Sequence, residues 1–186
     1  MRYELVTTTY LPGLANGAAS AAAAAGHTAG LAAYWVTEIG TLNQTVELWS
    51  GKRPAPGGEA PLEHASTTLT AVRGPAAPDA PGGIYEMRHY RLRPGITSAW
   101  VEIFTAALPA REKHSRIVAL LASDAGEADQ VVHIWNYPDL NTRVATRAAA
   151  MKDPVWQDFL GKSRAQKMVV RQDVSILLPA GHSPLT

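Results

Sequence analysis

The sequence predicts an α+β chain built from two tandem βαββαβ units, the first of which lacks its second helix. Three observations predict it. The segment YELVTTTYLPG (Tyr3 to Gly13) overlies YEMRHYRLRPG (Tyr85 to Gly95) at an offset of 82 residues (85 minus 3). TEIGTLNQTVELW (Thr37 to Trp49) overlies SDAGEADQVVHIW (Ser123 to Trp135) at an offset of 86 (123 minus 37). The second half also parses as a complete unit by itself. Matched blocks in the same order point to a duplicated structural unit.

In the second copy, Tyr85 to Arg93 has strand periodicity and is stopped by Pro94-Gly95. Its alternation is unusual. Tyr85, Met87, His89 and Arg91 share one face, Glu86, Arg88, Tyr90 and Leu92 the other, and neither face is purely apolar. A helix follows over Thr97–Lys113, with Trp100, Val101, Phe104, Ala107 and Leu108 spaced for one apolar face. Pro109 is expected to kink or end it. Arg116–Ala122 and Gln130–Trp135 form a hairpin around the SDAGEAD turn. A second helix starts after Pro138-Asp139, runs toward Met151 and is broken by Asp153-Pro154. VWQDFLGK adds a further turn or two, and Val169–Leu178 is the last strand, closed by Pro179. The order βαββαβ is that of a ferredoxin-like unit, with its first and third strands central.

The first copy is thinner. Its first helix, Leu14 to Ala25, is nearly all alanine, and its last strand is Ala65–Val72. SGKRPAPGGEAPLEH stands where a second helix belongs, and is too rich in Pro and Gly to form one. The expected organisation is a degenerate repeat over 1–72, a Pro/Gly linker over 73–83 (RGPAAPDAPGG), a complete repeat over 84–179 and a tail over 180–186.

Composition narrows the function classes. Seventeen basic and sixteen acidic residues leave +1, which favours neither nucleic acid nor an anionic membrane. The absence of cysteine excludes disulfides, thiolate catalysis and cysteine-ligated metals. The run AASAAAAAGHTAG is too short and too weakly apolar to span a bilayer, and no signal-peptide core follows the start. A cytoplasmic location is the expectation. Gly-rich phosphate loops, GxSxG and HExxH do not occur.

YEMRHYRLRPG, VVHIWNYPDLNTRVATRAA and KDPVWQDFL resemble the NIPSNAP family, over about Tyr85 to Pro179. The first copy matches only in its first strand and in YWVTEIGTLNQTVELW. The resemblance implies a dimeric α/β-barrel, in which two ferredoxin-like sheets pack face to face, between subunits or between tandem copies. Here the tandem arrangement is implied. It fixes architecture better than activity.

Such packing covers a central strand on both faces, so its polar side chains must be paired or neutral. Glu86 and Arg88 are placed to pair, either as an internal ion pair or as a polar anchor in a ligand cavity. His89 and His133 fall on adjacent central strands, and Glu47 holds in copy one the position of His133 in copy two. A buried His and a buried Glu have environments that drive their pKa values apart, so His133, His89, Glu47 and Arg88 are the candidate catalytic residues. Two hydrogen-bonded core residues without chemistry are the competing reading. His114 and His27 suit helix-end capping; His64 and His182 carry no signal. Tyr10, Tyr34, Trp35 and Trp49 fall under the alanine helix and the missing helix. They predict a groove for a flat apolar molecule unless the Ser50–His64 loop or a second subunit covers them. Tyr90, Trp135 and Glu86 complete the expected substrate-binding set. Arg143 and Arg147 read as a solvated helix face, and Arg111, Lys113 and Arg116 as a surface cluster in preference to an anion-binding one.

The expected function is a small-molecule enzyme without organic cofactor, of isomerase, cyclase or monooxygenase type. It would act on a hydrophobic aromatic or polyketide-like substrate by His/Glu acid–base catalysis, as part of bacterial specialised metabolism. The alternatives are a non-catalytic binding or scaffold protein, or a haem protein ligated through His89 or His133. A homodimer is the one protein partnership anticipated; neither nucleic acid nor membrane is.

Overall fold

The computed structural model describes residues 1–26, 28–51, 53–54, 60–123 and 129–186. Its elements are β1 (Arg2–Thr9), α1 (Ala15–Ala24), β2 (Leu31–Ile39), β3 (Gln44–Trp49), β4 (Glu63–Arg73), β5 (Ile84–Leu92) and α2 (Thr97–Glu112). They continue with β6 (Ile117–Ser123), β7 (Gln130–Tyr137), α3 (Leu140–Ala150), α4 (Pro154–Ala165) and β8 (Val169–Pro179). The strands close into one barrel in the order β1-β3-β2-β8-β5-β7-β6-β4. Each half contributes its fourth, first, third and second strands in turn. Two antiparallel seams join the halves: β2 with β8, from Trp35↔Pro179 to Ile39↔Ile176, and β4 with β6, from Leu69↔Ser123 to Arg73↔Leu120.

The odd alternation of β5 has a simple resolution. Tyr85 and Met87 point into the barrel, where Leu5, Trp35, Val46, Leu48, Leu69, Val132 and Ile134 fill the interior. Tyr90 and Leu92 point outward beneath the helices and join Trp100, Phe104, Trp135, Trp156 and Phe159 in a second core. The middle of the barrel interior is thus apolar, and Glu86 and Arg88 of β5 lie between sheet and helices.

Most helix boundaries follow local chemistry. Asp139 caps α3, its carboxylate accepting the Thr142 N–H at 2.8 Å and the Thr142 hydroxyl at 2.9 Å. Asp153 does the same for α4, ahead of Pro154 at the first helical position. Asp129, at the end of the β6–β7 turn, accepts the Gly95 N–H at 2.9 Å and the Thr97 hydroxyl at 2.5 Å, tying that hairpin to the start of α2. His27, Asp124 and Glu127 lie outside the described residues. Among the described residues no helix lies between β3 and β4.

Two expectations are corrected. α2 does not end at Pro109 but continues to Glu112; Pro109 is exposed, and its ring costs the helix one backbone hydrogen bond. α4 is a full helix of twelve residues, because Trp156 and Phe159 give it an apolar face to bury. Residues 180–186 are no loose tail: Ser183 and Leu185 are buried, and Leu185 joins the barrel interior. No helix among the described residues is long and apolar enough to cross a membrane.

Candidate small-molecule site

Strand register brings Arg88 directly opposite His133 on the helix-facing side of β5 and β7. With α2, α3 and α4 above them, they enclose a cavity of about 90 Å³. Its walls include Tyr90, Trp100, Phe104, Arg111, Trp135 and Arg147.

His133 is buried. Its Nδ1 accepts the Trp135 indole N–H at 2.7 Å. Indole is a donor only, so Nδ1 carries no proton and the neutral imidazole must hold its proton on Nε2. That Nε2 has no hydrogen-bond partner among the described residues, nor does the indole N–H of Trp100 on the same cavity wall. Burial, followed by the charges of Arg88, Arg111 and Arg147, holds the imidazole well below its ordinary pKa. His133 is therefore a neutral hydrogen-bond donor.

The guanidiniums are organised around one carboxylate. Glu86 is fully buried and binds Arg88 at 2.7 Å, Arg143 at 2.8 Å and Arg147 at 3.1 Å. Burial pushes the Glu86 carboxyl up, and the hydrogen bond from Arg143 with the charges of Arg147 and Arg88 more than reverses it, leaving it below its ordinary value. Arg88 also donates its Nε–H to the Tyr90 hydroxyl at 2.6 Å. Arg111 donates to the Tyr137 hydroxyl and to Ser115 at 2.8 Å each, and lies 4.4 Å from the Trp135 ring. Three arginines thus share one acid while Arg111 adds a fourth positive charge nearby, and the cavity carries an excess of positive charge and unpaired donors.

Several expected site residues fall elsewhere. His89 lies on the opposite face of β5 from His133, near the barrel end, with its Nε2 2.6 Å from Gln130 Oε1; period-two alternation separates neighbours in sequence. Glu47 is across the barrel, clamped by Arg53 at 2.7 Å through both carboxylate oxygens and bonded by Trp49 at 2.8 Å. The carboxylate already accepts three hydrogen bonds and lies on β3, across the barrel from His133 on β7, so the structure does not assemble a His/Glu pair. Trp35 points into the barrel. Tyr10, Tyr34 and Trp49 face α1 but are buried, covered by the alanine helix, by Arg53 from the loop after β3 and by residues 180–183. The expected ring-lined space in the first half is closed. A groove does run beside α1, with other walls.

Sequence reasoning missed Arg147 and Trp100, and weighed Arg111 as an anion ligand only together with Lys113 and Arg116. Arg111 turns inward, while Lys113 pairs with Asp153 and Arg116 with Asp79, so the supposed cluster is dispersed. Arg143 and Arg147 do not lie on a solvated face: their one-turn spacing carries both down to Glu86. A buried acid on β5 without enough local partners was the available signal.

Neither imidazole fits haem ligation. The Nε2 of His133 carries a proton, its cavity is far smaller than a porphyrin, and His89 is bonded to Gln130. Among the described residues, no three His, Asp or Glu side chains gather as metal ligands.

Comparison with known proteins gives a consistent family. The NIPSNAP family model matches residues 85–184. A NipSnap homolog of Dictyostelium discoideum is 28% identical over 152 residues, covering 70% of this chain and 67% of that protein. NipSnap homolog 2 of Danio rerio is 32% identical over 60% of this chain and 38% of its own length, so the chain spans well under half of that relative. A NIPSNAP family crystal structure from Agrobacterium tumefaciens superposes with a TM-score of 0.52 at 30% identity, covering 60% of this chain and 100% of that one. An anthrone oxidase-like protein superposes over 98% of this chain and 92% of its own, with a TM-score of 0.67 at 12% identity, which shows the barrel fold alone.

Proposed function

We propose that this chain, which belongs to the NIPSNAP family, binds a small organic anion between β5–β7 and α2–α4 and stabilises negative charge on its oxygen. The carrying observation is that His133, with Nδ1 engaged by Trp135, presents only Nε2–H to a cavity otherwise supplied with donors by Arg88, Arg111, Arg147 and Trp100. Donors fixed in a water-poor site stabilise charge that develops on oxygen without reorganising. A neutral imidazole beside cations suits an electrophilic role better than that of a base.

The reaction class this favours passes through the enolate of a carbonyl compound, as in isomerase- or monooxygenase-type chemistry without an organic cofactor. His133 and Arg88 hold the enolate oxygen while water takes the α-proton; Tyr90, kept protonated by burial against the opposing charge of Arg88, returns a proton to the carbon and recovers its own from that water. Glu47 and His89 have no part in it. The space of about 90 Å³ is below the roughly 150 Å³ that holds benzene and the roughly 300–1,000 Å³ of drug-sized sites. A substrate of a few heavy atoms is favoured over a polyketide. The matching strand order of the two halves supports reading them as tandem ferredoxin-like copies.

The test uses pyruvate, the smallest 2-oxo acid with an enolisable carbon. Tryptophan fluorescence follows binding, and deuterium uptake at its methyl follows enolisation. Binding that the neutral pyruvamide does not reproduce, with exchange lost in His133→Phe, is expected. Binding without exchange would reduce the site to a non-catalytic one. Equal binding of the amide would remove the anion reading altogether.

A further inference from the structure

The cavity between β5–β7 and the helices is unbalanced in charge. Arg88 from β5, Arg111 from α2 and Arg147 from α3 all line it, and among the described residues no Asp or Glu does. His133, buried and neutral, offsets none of this. The acid within reach is Glu86, behind the wall, where Arg88 and Arg147 share it with Arg143. Even with its whole charge assigned to the three lining arginines, two positive charges stay unmatched.

Arg111 is the clearest case. It is 3% exposed, and no carboxylate pairs with it among the described residues. Its guanidinium donates to two neutral hydroxyls, those of Ser115 and Tyr137, and lies over the Trp135 ring. Those bonds use two of its five N–H donors. Buried charges are ordinarily paired, because the attraction of an opposite ion is what offsets their desolvation. Arg147, with a side chain 33% exposed, is partly relieved by water. Arg111 is not.

We propose, building on the anion site above, that this cavity is matched to a planar dianion: the enolate of a small 2-oxo acid, with its carboxylate on Arg111 and its enolate oxygen between Arg88 and His133. The charge count separates the two states of such a ligand. A 2-oxo acid enters as a monoanion and satisfies one unmatched guanidinium. When water takes a proton from the carbon beside its carbonyl, the electron pair of that C–H bond stays on the ligand, chiefly on oxygen, and the ligand becomes a dianion. The second positive charge is thus matched only in the enolate, which is the condition for stabilising it over the ground state. A simple ketone would leave Arg111 as unpaired as before. The space of about 90 Å³ admits a short 2-oxo acid and little more.

The test titrates the full chain near neutral pH, by calorimetry, with oxalate, oxamate and oxamide. The three share one planar skeleton with the same number of heavy atoms and carry two, one and no negative charges; oxalate is the stable likeness of the enolate. Oxalate is expected to bind at least about tenfold more tightly than oxamate, and oxamate more tightly than oxamide. Arg111→Gln is expected to bring oxalate close to oxamate. Arg147→Gln, which leaves Glu86 paired with Arg88 and Arg143 and so spares the fold, is expected to narrow the same ratio. Equal binding of oxalate and oxamate, both above oxamide, would overturn the dianion and leave the anion site standing. Binding of neither anion above oxamide would overturn both. An oxalate preference unmoved by both substitutions would place the dianion outside this cavity and overturn the proposal as well.

Discussion

The indole of Trp135 donates to Nδ1 of His133 at 2.7 Å, two residues back along the same strand. The first half repeats the arrangement, Trp49 donating to Glu47 at 2.8 Å. One local device therefore serves two different acceptors. Where the acceptor is a carboxylate, a guanidinium fills the adjoining space; where it is an imidazole, the space stays open and lined with donors.

The depressed His133 fixes a direction of pH dependence. Its folded pKa lies below the unfolded value, so below about pH 6.5 the unfolded chain binds a proton that the native state refuses. Native stability from this group is present above that pH and is lost on acidification. The slope is at most about 1.4 kcal/mol per pH unit for one group. Urea unfolding of wild type and His133→Gln between pH 5 and 8 should show the variant losing less stability toward acid. The depressed His182 is common to both proteins and cancels in the comparison. Parallel curves would mean that His133 titrates normally.

Glu86 is expected to be worth far more to the fold than an exposed acid. Removing one partner of a buried ion pair typically costs about 3–5 kcal/mol because the remaining charge is stranded. Here Glu86→Ala leaves three arginines without their shared carboxylate. Chemical denaturation should register that loss, together with increased amide exchange along α3, whose only buried residue is Ala150.

Arg53→Ala is expected to destabilise by a similar amount, about 3–5 kcal/mol, by exposing an uncompensated Glu47. The double variant Glu47→Met, Arg53→Met should recover most of it, since replacing a buried pair with apolar groups is often neutral. A cycle in which the two single losses simply add would show that the pair is not coupled.

Leu185→Ala should cost about 2–5 kcal/mol, as for a core leucine, although it lies six residues past β8. The side chain enters the barrel interior, and the Tyr85 hydroxyl donates to the Leu185 carbonyl. Burial raises the Tyr85 pKa to about 12, so its proton stays in place across ordinary assay pH. A melting temperature unchanged by Leu185→Ala would place these residues outside the cooperative unit.

The fold was more legible than the site because period and punctuation are local properties. The alternation of β5, the Pro-Gly stop and the caps at Asp139 and Asp153 all act within a few residues, and the structure follows them. What alternation could not tell was which face of β5 meets the barrel, since both are covered. That single ambiguity paired His89 with His133, though they lie on opposite sides of the sheet. Arg143, Arg147 and Arg111 were read as surface residues because their partners, Glu86 and Tyr137, are 57, 61 and 26 residues away in sequence. The aromatic groove in the first half failed for a related reason: Arg53 and residues 180–183 cover those rings, and neither segment has a periodic pattern announcing that it packs.

The seam between β2 and β8 joins residues near Val36 to residues near Leu178, and β8 leaves the ribosome after the seven strands before it. Until then β2 presents an open rim of unpaired amides and carbonyls, the kind of template on which neighbouring nascent chains associate. Closure over so long a sequence separation is also slow. During synthesis the leading half therefore has to wait, and pulse-labelled exchange during refolding should find the β2–β8 amides among the last to gain protection.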